Sequence, residues 1–289
     1  MKTVQLVLMV SIASILTLVS GFKKSTPTNY STHLMPPGTV KVTPNFYCDA
    51  AEITNNNWRE YMYWTGRIFG FKSREYLLVL PDTNAWTKYD TNLTMYAKSY
   101  LKNISYNDYP VVGVSQQQAI NFGKWRSDRV FEFILVKFGK IKFSVPQQNR
   151  TNYFTIERYM TGNFNNIVPD TNFSYYPSYT LPTEGQVAKI VSYTDSINTN
   201  HFKKQRCKLY QNTSQNIRIT TMPATVDCTT SKNNKLLHLN DNVAEWLFEK
   251  QTATGNNWAT HDTLAIVTQR MSNCYTGFRN VCTWRKWAK

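Results

Sequence analysis

The sequence predicts a mixed fold of short strands, capped helices and long ordered loops. Only 18% of the 289 residues are charged, and the polar remainder is rich in Asn, Thr, Ser and Gln. Such a composition favours short strands, turns and loops over long helices. Aromatic residues reach 14% and are spread along the whole length, unlike a disordered chain. Helix caps and short extended stretches alternate with polar segments throughout. The length suits one large domain or two small ones, and 42% hydrophobic residues allow a sizeable core. No internal repeat and no second domain boundary is visible.

Residues 1–21 read as a secretory signal: Lys2 supplies a positive start, Val4 to Val19 is an uncharged and mostly apolar run, and Val19-Ser20-Gly21 offers small residues for cleavage. The run is shorter than the ~20 residues a membrane span needs, so no transmembrane segment is expected in the mature chain. Leu18 to Phe22 is similar to a bacterial lipoprotein box in which Phe22 stands where the lipid-bearing cysteine would be. The chain is therefore expected to be exported, periplasmic or envelope-associated, and not lipidated at Phe22.

Residues 22–40 are polar and Pro-rich, as in a linker or N-terminal arm, and residues 41–289 form the expected domain. Phe46-Tyr47-Cys48 reads as a strand. Thr54 is an N-cap candidate ahead of Trp58, Tyr61 and Met62 at helical spacing. Residues 81–106 show no clear periodicity. Pro110 to Val114 reads as extended. Ser115 then caps a helix, with Gln118 three residues on as in a capping box, and Ala119, Phe122 and Trp125-Arg126 line one face. Residues 143–180 are loop-like. The chain turns at Pro182, and Thr183 caps a helix carrying Val187 and Ile190. Residues 200–235 read as two strands around a loop, and the chain ends on a Gly277-Phe278-Arg279 strand.

The formal charge of +15 would suggest nucleic acid in a cytosolic protein. In an exported one it points instead to anionic lipid, polysaccharide or an acidic protein face, and no nucleic-acid partner is expected. The basic clusters, such as Lys203-Lys204-Gln205-Arg206, are short and read as solvated surface.

Five stretches, in order, carry a resemblance. "FYCDAAEITNNNWREYMYW" carries Asp49, Glu52, Thr54 and Asn55. "YPVVGVSQQQAINFGKWR" carries Pro110, Val111, Val114, Ser115, Ala119, Phe122 and Trp125. "LPTEGQ" runs through Leu181 to Glu184, "NDNVAEW" through Asn242, Val243, Glu245 and Trp246, and "GFR" through Gly277 to Arg279. This series resembles the formylglycine-generating-enzyme or sulfatase-modifying-factor family. The resemblance implies a compact α+β domain, a variant of the C-type-lectin fold with little regular structure. Its Trp and Tyr rings would supply core burial, with their polar tips bonded to loop backbone.

Active members of that family oxidise a substrate cysteine using Cu(I) held by two cysteines, a soft metal on soft ligands. Residues 247–276 lack the R-G-G-S strand that precedes the family's pair, and their single cysteine, Cys274, sits three residues before Gly277. No copper ligand can therefore be carried over. Cys274 and Cys282 remain weak catalytic candidates. Where the family has glycines and Asp beside its calcium-binding part, this chain has Lys235, His238 and Asp241. Calcium takes six to eight oxygens, so Asn242 and Glu245 are only weak calcium candidates, with hydrogen bonding around Trp246 as their other role. The four histidines, His33, His201, His238 and His261, are scattered and form no iron-ligand pattern.

Export favours an oxidising compartment. Of the five cysteines, Cys207 and Cys228 could cross-link the two strands of 200–235, and joining Cys274 to Cys282 would need a tight reversal around Gly277. The expected function is that of a non-catalytic binding or scaffold protein of the bacterial cell envelope. It would be similar to the gliding-motility and type IX secretion lipoproteins of this family, a pseudoenzyme with no cofactor beyond calcium and an envelope protein assembly as partner. Two alternatives stay open. One is a divergent metal-dependent oxidase built on Cys274, Cys282 or His261. The other is a carbohydrate or surface recognition module using Trp86 or Trp258.

Overall fold

The computed structural model describes residues 34–198, 222–227, 236–239, 241–259, 267–268 and 271–288. The signal segment, Cys207, Cys228, His261 and most of the stretch 200–235 lie outside the described residues. Strands β1 (Thr39–Thr43) and β2 (Phe46–Asp49) form a hairpin turned at Asn45, whose φ of 59° an asparagine tolerates. The hairpin begins at Thr39, just inside the stretch expected to be linker.

Helix α1 (Asn55–Phe69) starts in a capping box between Thr54 and Asn57, as Thr54 predicted. The segment that follows holds α2 (Arg74–Leu77), α3 (Ala85–Tyr89) and α4 (Thr94–Ser99). None exceeds six residues, too few for a helical period to repeat, which is why residues 81–106 look aperiodic. Helix α5 (Gln116–Lys137) begins in the Ser115–Gln118 capping box. At 22 residues it overrides the compositional expectation of short helices. Phe122, Phe131, Ile134 and Leu135 extend its buried face well beyond Trp125.

Helix α6 (Ile156–Met160) and strand β3 (Tyr175–Thr180) occupy a region expected to be loop. Helix α7 (Glu184–Asn198) follows Thr183, whose hydroxyl accepts from Gln186 N while the Gln186 side chain accepts from Thr183 N. The remaining strands are β4 (Ala244–Trp246), β5 (Thr252–Thr254), β6 (Val267–Thr268), β7 (Thr276–Gly277) and β8 (Val281–Lys286).

Among the described residues two four-stranded sheets form, ordered β1-β2-β8-β3 and β6-β5-β4-β7. Strand β8 enters between β2 and β3, antiparallel to both, so the end of the chain joins the hairpin at its start to β3. The terminal strand is therefore β8. Phe278, Arg279 and Asn280 are instead a short crossing from one sheet to the other, against the expectation of a strand there. The crossing is pinned by backbone bonds: Ile53 N donates to Phe278 O and Asp49 N to Asn280 O, each at 2.9 Å. Helix α5 lies close on β3 at Gly123, where a Cβ would stand 2.8 Å from Tyr179 O.

The rings pack the core as expected. Trp58, Phe122 and Phe278 pack against one another between α1, α5 and the crossing. The polar tips find loop carbonyls: Trp58 Nε1 donates to Val79 O at 3.1 Å, Trp246 Nε1 to Val114 O at 2.9 Å and Trp258 Nε1 to Cys274 O at 3.0 Å. These bonds tie irregular segments to the core where ladder bonds are sparse. Among the described residues no helix is long and apolar enough to cross a membrane.

Candidate functional site: a buried polar centre

The crossing carries Arg279 and Asn280 inward, between the end of β2 and the loop before β4. Asp49 closes β2, and Glu52 follows it. Arg126 reaches in from α5. His238, Asp241 and Asn242 come from the loop, and Glu245 from β4. His238 and Asn242 sit at positive φ, 52° and 70°.

Arg279 is the hub. Its Nε donates to Glu245 Oε1 and Oε2 at 2.8 and 2.7 Å, and its Nη2 donates to Leu237 O at 2.8 Å and His238 O at 2.9 Å. A longer bond of 3.4 Å runs from Nη1 to Asp49 O. A second pair sits beside it: Asp49 Oδ2 accepts from Arg126 Nη1 at 2.7 Å and from Asn280 N at 2.9 Å. Arg126 also lies over the Tyr179 ring and donates to Pro37 O. Burial alone would lower both guanidinium pKa values. Glu245 outweighs it for Arg279 and Asp49 for Arg126, so both stay charged.

Glu52 and Asn242 make a third contact. Asn242 Nδ2 donates to Glu52 Oε1 at 3.1 Å, and Asn242 Oδ1 accepts from Ala224 N at 2.7 Å. Glu52 Oε2 is buried and has no hydrogen-bond partner among the described residues. Burial pushes the Glu52 carboxyl up to about 7, against the pull of His238 and Arg279. Burial would lower the pKa of His238. The Asp241 carboxylate, 2.8 Å from its Nδ1, and Glu52 more than offset this, and the imidazole is raised.

The centre therefore joins the hairpin, α5, the β4 loop and the crossing by charge-assisted hydrogen bonds. The thiol beside it is not activated. Cys48, next to Asp49, is fully buried, and burial pushes its thiol up to about 12. Among the described residues no group of three His, Cys, Asp or Glu side chains is placed to hold a metal ion.

The two thiol candidates are not brought together. Cys274 packs with Val243, Trp258 and Ala259, while Cys282 packs with Phe131, Tyr179 and Trp284. Both are free and buried, so the structure contains no staple between them. Burial pushes Cys274 up to about 12 and raises Cys282 as well, against Arg126. Trp86 and Trp258 are also core residues, 3% and 6% exposed and stacked with centroids 5.6 Å apart. They offer no recognition face, contrary to the expectation placed on them.

The other motif residues hold the frame. The Pro110 carbonyl accepts from Tyr100 OH, Trp125 packs on Tyr61 and Phe122, and Gly277 leaves no room for a Cβ against Val111 O at 2.8 Å. Glu184 is exposed at the start of α7, away from the centre.

The model of the sulfatase-modifying factor enzyme 1-like domain, the FGE-sulfatase family, matches residues 9–284. The chain belongs to this family. Its architecture is the α+β fold of sulfatase-modifying factors. No curated protein matches the chain. Among solved structures it is similar to the one titled "Crystal Structure of CarF", at 13% identity and a TM-score of 0.37, covering 82% of this chain and 86% of that one.

The metals that the FGE-sulfatase family implies do not fit the described residues. Copper would need two thiolates on one ion, and Cys274 and Cys282 lie in separate apolar clusters. Calcium at Asn242 and Glu245 would compete with bonds already made: both Glu245 oxygens face Arg279, and both ends of the Asn242 amide are used. A cation there would also sit beside a guanidinium.

Sequence reasoning found Asn242, Glu245 and Arg279 but missed the Asp49–Arg126 pair and the role of Glu52. A signal was present. Asp49 and Glu52 flank an apolar strand and precede Ile53, and Arg126 falls on the Phe122 face of α5, positions where a charge requires a buried partner.

Proposed function

We propose that this member of the FGE-sulfatase family is an exported, non-catalytic binding or scaffold protein of the cell envelope. The observation that supports this reading is the packing of the candidate residues. The two candidate thiols sit in different apolar clusters, and Glu245 is taken up by Arg279. What remains is a domain whose buried charges hold its loops. The assembly we favour is of the gliding-motility or type IX secretion kind. Support comes from the five motifs, the apolar start at Val4 to Val19 and the lipoprotein-like Leu18 to Phe22.

The test is a tagged pull-down from the native envelope in mild detergent, with mass spectrometry of the bound proteins. Recovery of envelope secretion or motility subunits at fixed stoichiometry is the expected result. A partner-free monomer that oxidises a thiol peptide when supplied with copper would contradict the proposal and favour the divergent oxidase.

A further inference from the structure

Residues 71–80 form one exposed turn between α1 and the rest of the chain. Gly70, at φ 101°, ends α1, and Ser73 caps α2 by accepting from Tyr76 N. The inward side chains complete the core: Val79 is buried, and its carbonyl receives Trp58 Nε1. The outward ones stay largely outside it, although one face of the Phe71 ring lies against Tyr63, Tyr76 and Gly66. Phe71, Leu77 and Leu78 are 54%, 58% and 60% exposed, and Leu80 stands beside them. Their backbone is nevertheless pinned, since Gln118 Nε2 donates to Leu78 O at 3.0 Å and to Leu80 O at 2.9 Å. The turn is a fixed base with apolar tips, the kind of surface that marks an interaction site.

The local charge indicates what covers it. The acids in and beside the turn are already neutralised, Glu75 by Arg150 and Asp82 by Lys88, each at 2.7 Å. Lys72 and Arg74 are exposed among the apolar tips and form no ion pair among the described residues. Arg74, Leu77 and Leu78 share one side of α2 by helical spacing, so cation and leucine project together. The surplus is positive within a chain of net charge +15.

We infer that this turn docks on an anionic lipid bilayer. Phe71, Leu77 and Leu78 would enter the boundary between headgroups and acyl chains, and Lys72 and Arg74 would pair with anionic headgroups. The projecting shape favours lipid over an acidic protein. The tips stand out from a tight turn, and a bilayer takes convex apolar groups without a matching groove. The inference does not depend on the scaffold reading, because none of the turn's residues belongs to the polar centre.

The test is co-sedimentation of the protein, as processed by its own cell, with mixed phosphatidylcholine–phosphatidylglycerol vesicles and with pure phosphatidylcholine vesicles. Binding to the mixed vesicles that weakens with added salt is expected. The double variant Leu77→Glu, Leu78→Glu should lower it at least about tenfold. The pair Lys72→Glu, Arg74→Glu should lower it and flatten its salt dependence. All four side chains are exposed, so near-ultraviolet circular dichroism should match the wild type. Equal binding by wild type and both variants, or no binding to either vesicle, would overturn the inference. So would loss of an acidic protein partner in the leucine variant with vesicle binding unchanged.

Discussion

Arg279 commits its guanidinium to Glu245 and to two loop carbonyls, so removing it leaves a buried carboxylate uncompensated. Arg279→Ala is expected to lower unfolding stability by about 3–5 kcal/mol in urea denaturation, the cost of breaking a buried pair from one side. The double variant Glu245→Leu, Arg279→Met should recover a large part of that loss, because no charge is then stranded. A single-variant cost below about 1 kcal/mol would mean the pair is not the clamp described. Glu52 makes a pH prediction. Its folded carboxyl is raised to about 7, so the folded state holds a proton that the unfolded chain has released. Its contribution is complete below the unfolded value near 4.3 and is lost as pH rises through about 7. His238, also raised, acts with the same sign at its own titration. Glu52→Gln keeps an acceptor for Asn242 and should flatten part of the fall in melting temperature between pH 4.5 and 7.5. An unchanged profile would count against a protonated Glu52.

Two elements decide where the centre's residues arrive, and both can be tested. Ser115 and Gln118 start α5 in register, placing Arg126 three turns later against Asp49. Ser115→Ala should cost about 1 kcal/mol in thermal or urea unfolding, the usual value of an N-cap. Gly123 tests the seating of α5 on β3. Helix propensity alone would make Gly123→Ala stabilising by up to about 1 kcal/mol. The added Cβ would meet Tyr179 O at 2.8 Å, backbone that cannot swing aside. The clash should win, with a net loss of about 1–3 kcal/mol. A stabilised variant would show that the helix can lift off the sheet. The elements legible in the sequence were those with a local signal: Thr54, Ser115 and Thr183 announce their helices through hydroxyl caps. The helices α2 to α4 and α6 are too short to repeat a period, and β3 and β8 are specified by each other across the chain, so residues 143–180 read as loop. The Gly277-Phe278-Arg279 stretch looked like a strand because its apolar residue is buried, whereas its backbone serves as a crossing.

For the whole molecule, motif order identified the fold, and the composition agreed with it. The Asp49–Arg126 pair stayed hidden because each member lies in a segment whose own pattern is complete without it. The roles of Trp86 and Trp258 were hidden for a related reason. An isolated tryptophan in a polar stretch looks like a binding residue until its partner ring, more than 150 positions away, is found on it. Cys274 and Cys282 are eight residues apart in the chain, yet the crossing sends them to different cores. We propose that this family member keeps the fold and has exchanged the reactive centre for packing. A Cu(I) competition titration of the wild type, Cys274→Ser and Cys282→Ser, with a thiol-peptide oxidation assay on each, tests it most directly. Identical copper uptake by all three proteins and no peptide aldehyde is the predicted result. One tightly held Cu(I) that either serine variant loses, together with oxidation of the peptide, would contradict it.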